Sequence, residues 1–384
     1  MAQPKVLLLI ETSRAYGRKL LYGITKYSRL HGPWTFYLEP GGMTWSLPNL
    51  ANWGVDGIIA RIPSSKAVSQ LIPPGVPAIA IAIKEVIAGY PNILGDCSAI
   101  GVMAAEHLLD RGFKNYAFCG FNDMHWSDDR EKSFVERVTQ AGFNVHQYNR
   151  PRFRFERYWN KEQLSLINWL KSLPKPIGIF TCNDDHGQHV TEAAKAAGIY
   201  VPDEIAVLGV DNDELFCELC NPPLSSVALD APAAGYAAAE LLHKMMMSRK
   251  SAKNYNNIYV KPTHVLTRQS TDVLAVEDKV VADAVRFIRD SKHVIQVSDV
   301  ANSLAMSRRN LELRFQKAIK RSIHQEIKRV RIEQITKLLI DDSMTITQIA
   351  SKLGYADFAH ISRYFKELKG ITPSDFRRQH RKPE

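Results

Sequence analysis

The 384-residue chain has no apolar run approaching the ~18 residues a membrane-spanning helix needs, so a transmembrane transporter or receptor is excluded and no membrane partner is expected. Cysteine is scarce. The five, Cys97, Cys119, Cys182, Cys217 and Cys220, are an odd number scattered over a large chain, which fits a reducing compartment and not a disulfide framework. Cys217-Glu218-Leu219-Cys220 has the Cys-x-x-Cys spacing but no second Cys or His pair at the usual distance, so zinc or redox chemistry is not expected. His186 and His189, three apart at a helix start, suit capping or surface display better than metal ligation. No Walker-type or Gly-x-Gly-x-x-Gly string follows a strand-like run, which removes the usual phosphate cradles. The opening Met1-Ala2-Gln3-Pro4-Lys5 has no basic n-region, long apolar core or cleavage site, so export is not expected and a cytoplasmic location is. Asp128 and Asp129 beside Arg130 are adjacent carboxylates pointing different ways, a poor acid/base pair. No cofactor, metal or enzymatic activity is expected.

What is present is doubled. Val297-Ser298-Asp299-Val300-Ala301-Asn302-Ser303-Leu304 recurs 49 positions later as Ile346-Thr347-Gln348-Ile349-Ala350-Ser351-Lys352-Leu353. Each copy passes through a turn into a second helix with an apolar stripe and basic residues, which is a helix-turn-helix, over 297–319 and again over 346–369. Residues 275–384 carry 22 Lys and Arg against 14 Asp and Glu, eight of the chain's net ten positive charges. A basic surplus confined to the segment with the doubled motif is the electrostatic footprint of a double-stranded DNA reader.

The chain before that segment alternates short Val/Ile/Leu-rich runs with helix-length stretches, which implies parallel sheets with right-handed crossovers. Expected strands are 5–11, 34–39, 55–61, 76–82, 116–121, 177–182, 205–210 and 227–229; expected helices are 14–30, 98–111, 130–141, 161–172, 185–197 and 232–248. Some 265 residues are too many for one doubly wound sheet, so two hinged lobes are expected. The loops after the strands are polar: 11–18, 122–130, 183–186 and 211–214. Ligands of open α/β sheets bind at such loops. Carboxylates, amides and guanidinium groups beside an aromatic face such as Trp126 suit a polyhydroxylated ligand, while each loop taken alone reads equally well as helix capping.

These loops carry a resemblance. The strings from Asp96 to Phe113, Phe180-Thr181-Cys182-Asn183-Asp184, and Gly209-Val210-Asp211-Asn212 leading to Asn221-Pro222-Pro223-Leu224 resemble the periplasmic-binding-protein-like effector domain of LacI/GalR-type repressors. Gly354-Tyr355, Arg363-Tyr364-Phe365-Lys366 and Gly370-Ile371-Thr372-Pro373-Ser374-Asp375-Phe376-Arg377 resemble the AraC/XylS DNA-binding domain. The first family carries its DNA-binding domain at the N-terminus; here the order is reversed, and the combination resembles the regulators of xylose operons. The resemblance implies an α/β two-lobed periplasmic-binding-protein-like sensor domain (1–268), a linker (269–277) and an all-α domain with two helix-turn-helix motifs (278–384). It places Arg130, Asn183 or Asp184, and Asp211 at the effector, with Tyr16 and Arg18 contributed by the other lobe. It further implies a homodimeric transcription activator, with D-xylose as effector, operator DNA as target and RNA polymerase as partner.

In the reading helices, Ser307 and Asp357 are suited to N-caps, and Leu311, Phe315, Ile361 and Phe365 face the core. Arg309, Glu312, His360 and Arg363 then project toward base edges, with Arg308 and Lys366 nearer phosphates. Leu313 stands where the second copy has Arg363; it either meets a thymine methyl or leaves the first copy a weak discriminator. The helix 323–341 between the copies, about 27 Å at ~1.5 Å per residue, approaches the ~34 Å between successive major-groove faces. Four alternatives remain open at this stage: a repressor, a response to another sugar or a sugar phosphate through Arg14, Arg18 and Arg130, a sugar-binding protein that regulates nothing, and a sugar-modifying enzyme built on the α/β part.

Overall fold

The computed structural model describes residues 3–39, 54–122, 124–148, 159–248, 255–273, 278–291, 293–319, 321–341, 344–355 and 357–380. Contacts divide the chain into two compact units, Met1–Asp110 with Lys114–Val273, and Arg111–Phe113 with Leu274–Glu384.

The first unit runs β1 (Lys5–Leu9), α1 (Ala15–His31), β2 (Thr35–Leu38), β3 (Gly57–Ile62), α2 (Val68–Leu71), β4 (Ala78–Ala82), β5 (Asn92–Gly95), α3 (Cys97–Leu109), β6 (Asn115–Cys119) and α4 (His125–Gln140). It continues with β7 (Val145–Gln147), α5 (Trp159–Ser172), β8 (Ile177–Thr181), α6 (Asp184–Ala196), β9 (Ile205–Val210), α7 (Glu214–Leu219), β10 (Ser225–Leu229), α8 (Ala231–Ser248), β11 (Ile258–Val260) and β12 (Pro262–Leu266). Two six-stranded sheets result, ordered β11-β5-β4-β3-β1-β2 and β12-β10-β9-β8-β6-β7. Strand neighbours are parallel except β12, which runs antiparallel to β10. β8 and β9, Ile-Gly-Ile-Phe-Thr and Ile-Ala-Val-Leu-Gly-Val, are buried at every position, as continuous apolar strands covered on both faces must be.

The chain passes between the sheets three times, from β5 into α3, from β10 into α8 and from β11 into β12. These crossings are bonded to one another: the Asp96 N–H donates to the Val260 carbonyl and the Asp230 N–H to the Lys261 carbonyl, each at 2.9 Å. They form the hinge of a two-lobed body.

Four strands lie outside the sequence expectation: β5, β7, β11 and β12. Three of these are sheet edges, where pairing on one side needs no continuous apolar run. α4 starts at His125, not near Arg130, so Asp128 and Asp129 are exposed helical residues and not loop residues. α3 and α4 approach so closely at Gly101 that a Cβ there would lie 2.0 Å from Ser133 Oγ and 2.7 Å from the Arg130 carbonyl. That approach seats the backbone of Arg130. The expected linker is also shorter: Gln269–Thr271 form a 3-10 turn whose Ser270 and Thr271 are fully buried, with Ser270 Oγ donating to the Val207 carbonyl at 2.6 Å. Linker residues 274–277 lie outside the described residues.

The second unit is all helical: α9 (Lys279–Asp290), α10 (Val297–Ser303), α11 (Arg308–Ile319), α12 (Ile323–Asp341), α13 (Ile346–Lys352), α14 (Phe358–Lys369) and α15 (Pro373–His380). It has two apolar cores. One joins α9, α10 and α11 to Ile323, Ile327 and Val330 of α12; the other joins α13, α14 and α15 to Ile335 and Leu339 of the same helix. Each helix-turn-helix therefore packs its own core, and α12 belongs to both.

Candidate effector cleft and nucleic-acid interface

Between the lobes the first turns of α1 face the loop that follows β9. Arg14 Nε lies 3.0 Å from both carboxylate oxygens of Asp185, and its guanidinium sits 4.4 Å over the Phe216 ring. The Ala15 N–H donates to Asp213 Oδ2 at 2.6 Å, and Lys19 Nζ donates to the carbonyls of Asp211 and Asn212 at 3.2 and 2.9 Å. A narrow cleft, open to solvent, remains, lined by Arg14, Ala15, Tyr16, Asp184, Asp185, Asp211, Asp213 and Phe216.

Tyr16, Asp184 and Asp211 are thus at the wall. Burial, with Asp211 adding to it, raises the Tyr16 hydroxyl above the ordinary tyrosine range. Burial also pushes Asp211 up to about 6, against the pull of Arg130, whose Nη2 lies 3.6 Å from Asp211 Oδ1. Arg130 is itself only 5 % exposed, donates to the Cys182 carbonyl, and lies 5.1 Å over the Trp126 ring. Its Nε is buried with no partner among the described residues. Trp126 therefore backs the arginine and does not line the cavity. Asp184 has both oxygens committed, Oδ1 accepting from Ser226 Oγ at 2.6 Å and Oδ2 from the Asp213 N–H at 2.8 Å. It shapes the Asp211–Asp213 loop.

Two expected ligand residues are used elsewhere. Asn183 Oδ1 accepts from the His186 N–H at 3.0 Å, the capping role its position before α6 allows. Arg18 donates to the Thr12 carbonyl at 2.8 Å and reaches Asp213 at 3.4 Å, outside the cavity lining. Asp185, Asp213 and Phe216 are wall residues that the sequence reading did not select, and Arg14 was named there only for a sugar phosphate. The acidic loop strings contained Asp185 and Asp213; Phe216 lies on α7, a six-residue helix too short to show a periodicity.

In the second unit Arg308 and Arg309 on α11, and His360, Arg363 and Lys366 on α14, are solvent-exposed. Ser307 Oγ accepts weakly from the Asn310 N–H at 3.4 Å, and Asp357 Oδ1 accepts from the His360 N–H at 2.7 Å. Leu313 is 65 % exposed. Glu312 is the exception: its Oε2 accepts from the Ile323 N–H at 3.3 Å, so its carboxylate caps the start of α12 and is turned from the outward-facing set. α12 spans 19 residues, about 28 Å of helix.

A family model described as a periplasmic binding protein-like domain matches residues 105–271, and one described as a helix-turn-helix domain matches residues 300–379. The xylose operon regulatory protein of Haemophilus influenzae is 32% identical over 382 residues, covering 97% of this chain and 98% of that protein. The chain belongs to the xylose operon regulatory protein family. The Escherichia coli K12 member is 29% identical over 97% of this chain and 96% of its own length. A solved structure titled as the xylose-binding transcription activator xylR aligns with a TM-score of 0.63 at 28% identity, covering 100% of both chains.

As a member of the xylose operon regulatory protein family, the chain is a sugar-responsive, DNA-binding transcription regulator. The candidate cleft of this chain has walls that are acidic on one lobe and pinned by the first turns of α1 on the other. No helix among the described residues is long and apolar enough to cross a membrane.

Proposed function

We propose that the effector is a neutral pentose, D-xylose, held between Arg14 and Tyr16 on one lobe and Asp211 and Phe216 on the other. The observation that carries this reading is that the arginines a phosphate would need are each set against a carboxylate, beginning with Arg14, whose Nε bonds both oxygens of Asp185. Arg18 and Arg130 likewise face carboxylates. A sugar phosphate would have to displace one of these carboxylates from its arginine, whereas sugar hydroxyls donate to carboxylates and an aromatic face covers the C–H side of a ring. The names of the relatives, which specify xylose, support the same choice.

In this reading the protein is a cytoplasmic activator and not an enzyme, acting as a homodimer through its sensor and engaging RNA polymerase at the operon promoter. Arg308, Arg309, His360, Arg363 and Lys366 face DNA, the first helix-turn-helix and the second entering successive major grooves from the two ends of α12. Sugar contacts to both lobes favour the closed arrangement, and that preference is what an effector can contribute.

Titration calorimetry of the full chain against D-xylose, L-arabinose, D-ribose, D-glucose and xylose phosphate tests the assignment. D-xylose is expected to bind and xylose phosphate not, with xylose binding lost in Asp211→Ala. Phosphate-sugar binding with silence toward xylose would overturn it.

A further inference from the structure

A buried arginine joins the effector loop to the last folded turn of the sensor. Arg268 follows β12, and its side chain is 8 % exposed. Nε donates to Glu218 Oε1, Nη1 to the Leu224 carbonyl and Nη2 to Asn212 Oδ1, each at 2.9 Å. On its cleft side, Asn212 directly follows the cavity-lining Asp211. These two residues sit at φ +101° and +46°, a region that residues other than glycine keep only when their surroundings fix it. The fixing groups are visible: the Asn212 N–H donates to Ser226 Oγ at 3.0 Å, and Lys19 holds both carbonyls.

On the other side, the backbone of Arg268 exchanges hydrogen bonds with Ser225 Oγ, at 2.8 and 2.9 Å. The following turn is bonded to the same strand end, with the Ser225 N–H donating to Ser270 Oγ at 2.8 Å and Thr271 Oγ1 to Ser225 Oγ at 2.7 Å. Beyond this turn the sequence runs on to Asp278, which caps α9.

We propose that Arg268 is the positioning residue that couples occupancy of the effector cleft, through Asn212, to the turn by which the chain leaves the sensor for the DNA-reading unit. The proposal rests on the sugar-effector reading above. A sugar engaging Asp211 changes the forces on a residue held in a rarely populated conformation, and its neighbour Asn212 cannot shift without changing its bond to Arg268. The guanidinium is a rigid fork, so a change at one tine is felt at the others and at the backbone of residue 268. Lysine, with one rotatable ammonium, keeps the charge and loses this geometry.

Coupling between two ligands is reciprocal, and that gives a readout that a merely structural residue does not move. The full chain is titrated with D-xylose with and without a duplex selected by the wild-type protein from a random pool, and with that duplex with and without saturating D-xylose. Wild type is expected to show the same affinity ratio in both directions, on the order of 10-fold. Arg268→Lys and Asn212→Gly, the latter removing Oδ1 while adopting the positive φ freely, are expected to bind xylose alone within about 3-fold of wild type while the ratio collapses below about 2-fold. Glu218→Ala, which removes a partner whose side chain is 64 % exposed, is expected to keep the wild-type ratio. An unchanged ratio in Arg268→Lys and Asn212→Gly, or loss of xylose binding along with it, overturns the relay while the effector reading stands. A wild-type protein that binds no xylose overturns the effector reading and this proposal with it.

Discussion

Asp184 is a carboxyl group 3 % exposed whose two oxygens each accept a hydrogen bond, and burial followed by the charge of Asp211 raises its pKa to about 8. The sign of its effect on stability follows. Between the unfolded value near 4 and about 8 the unfolded chain releases a proton that the folded protein keeps, so stability falls as pH rises through that window and levels off above it. Asparagine at 184 has the carbonyl to accept from the Asp213 N–H and an amide to meet Ser226 Oγ, without the ionisation. Asp184→Asn is therefore expected to melt higher than wild type, with a gap that widens from pH 5 to pH 8. Melts at pH 5, 7 and 9 that show a constant or shrinking gap would remove Asp184 from the buried, proton-holding role. At this scale the sequence left Asn183 and Asp184 as interchangeable candidates. Their separation required the fold, because a cap is recognised by the N–H it meets and Asn183 meets that of His186.

The two helix-turn-helix elements show how a repeat is legible while its details are not. Ala305 and Gly354 occupy equivalent places in the two turns, at φ +50° and +74°. Glycine adopts this region freely and alanine does not. At Gly354 a Cβ would also sit 3.3 Å from the His293 Cα. Gly354→Ala is expected to destabilise the second unit by about 1 kcal/mol and Ala305→Gly to stabilise it by a similar amount. Thermal unfolding of the two variants should shift in opposite directions; equal shifts would contradict the turn assignment. The apolar spacing of Leu311, Phe315, Ile361 and Phe365 was enough to place all four in the cores. Glu312 shows the limit of that reasoning. Helical periodicity puts it on the outward face, but the neighbouring start of α12 brings an unbonded N–H within its reach, and the carboxylate turns to it.

For the whole molecule, the charge asymmetry is the dominant long-range feature. The segment 275–384 holds eight of the ten net positive charges, and DNA affinity is expected to fall steeply with salt through counterion release. Lys366→Ala is expected to weaken binding evenly across duplex sequences and to reduce the slope of log K against log salt by about one. A sequence-dependent loss with an unchanged slope would move Lys366 from phosphate to base contact. Composition, the 49-residue repeat and the alternation of apolar runs with helices determined the class of the protein: two α/β lobes and a doubled DNA-reading unit. These are properties of local periodicity and summed charge, which one chain displays without folding. Only the tertiary structure decided which groups form the cleft. Arg14 and Asp185 are 171 positions apart and Ala15 and Asp213 are 198 apart, and pairing over such separations is set by strand order and hinge crossings that no local pattern encodes. The same holds for Arg268, an unremarkable residue after an edge strand until antiparallel pairing of β12 with β10 carries it to Asn212.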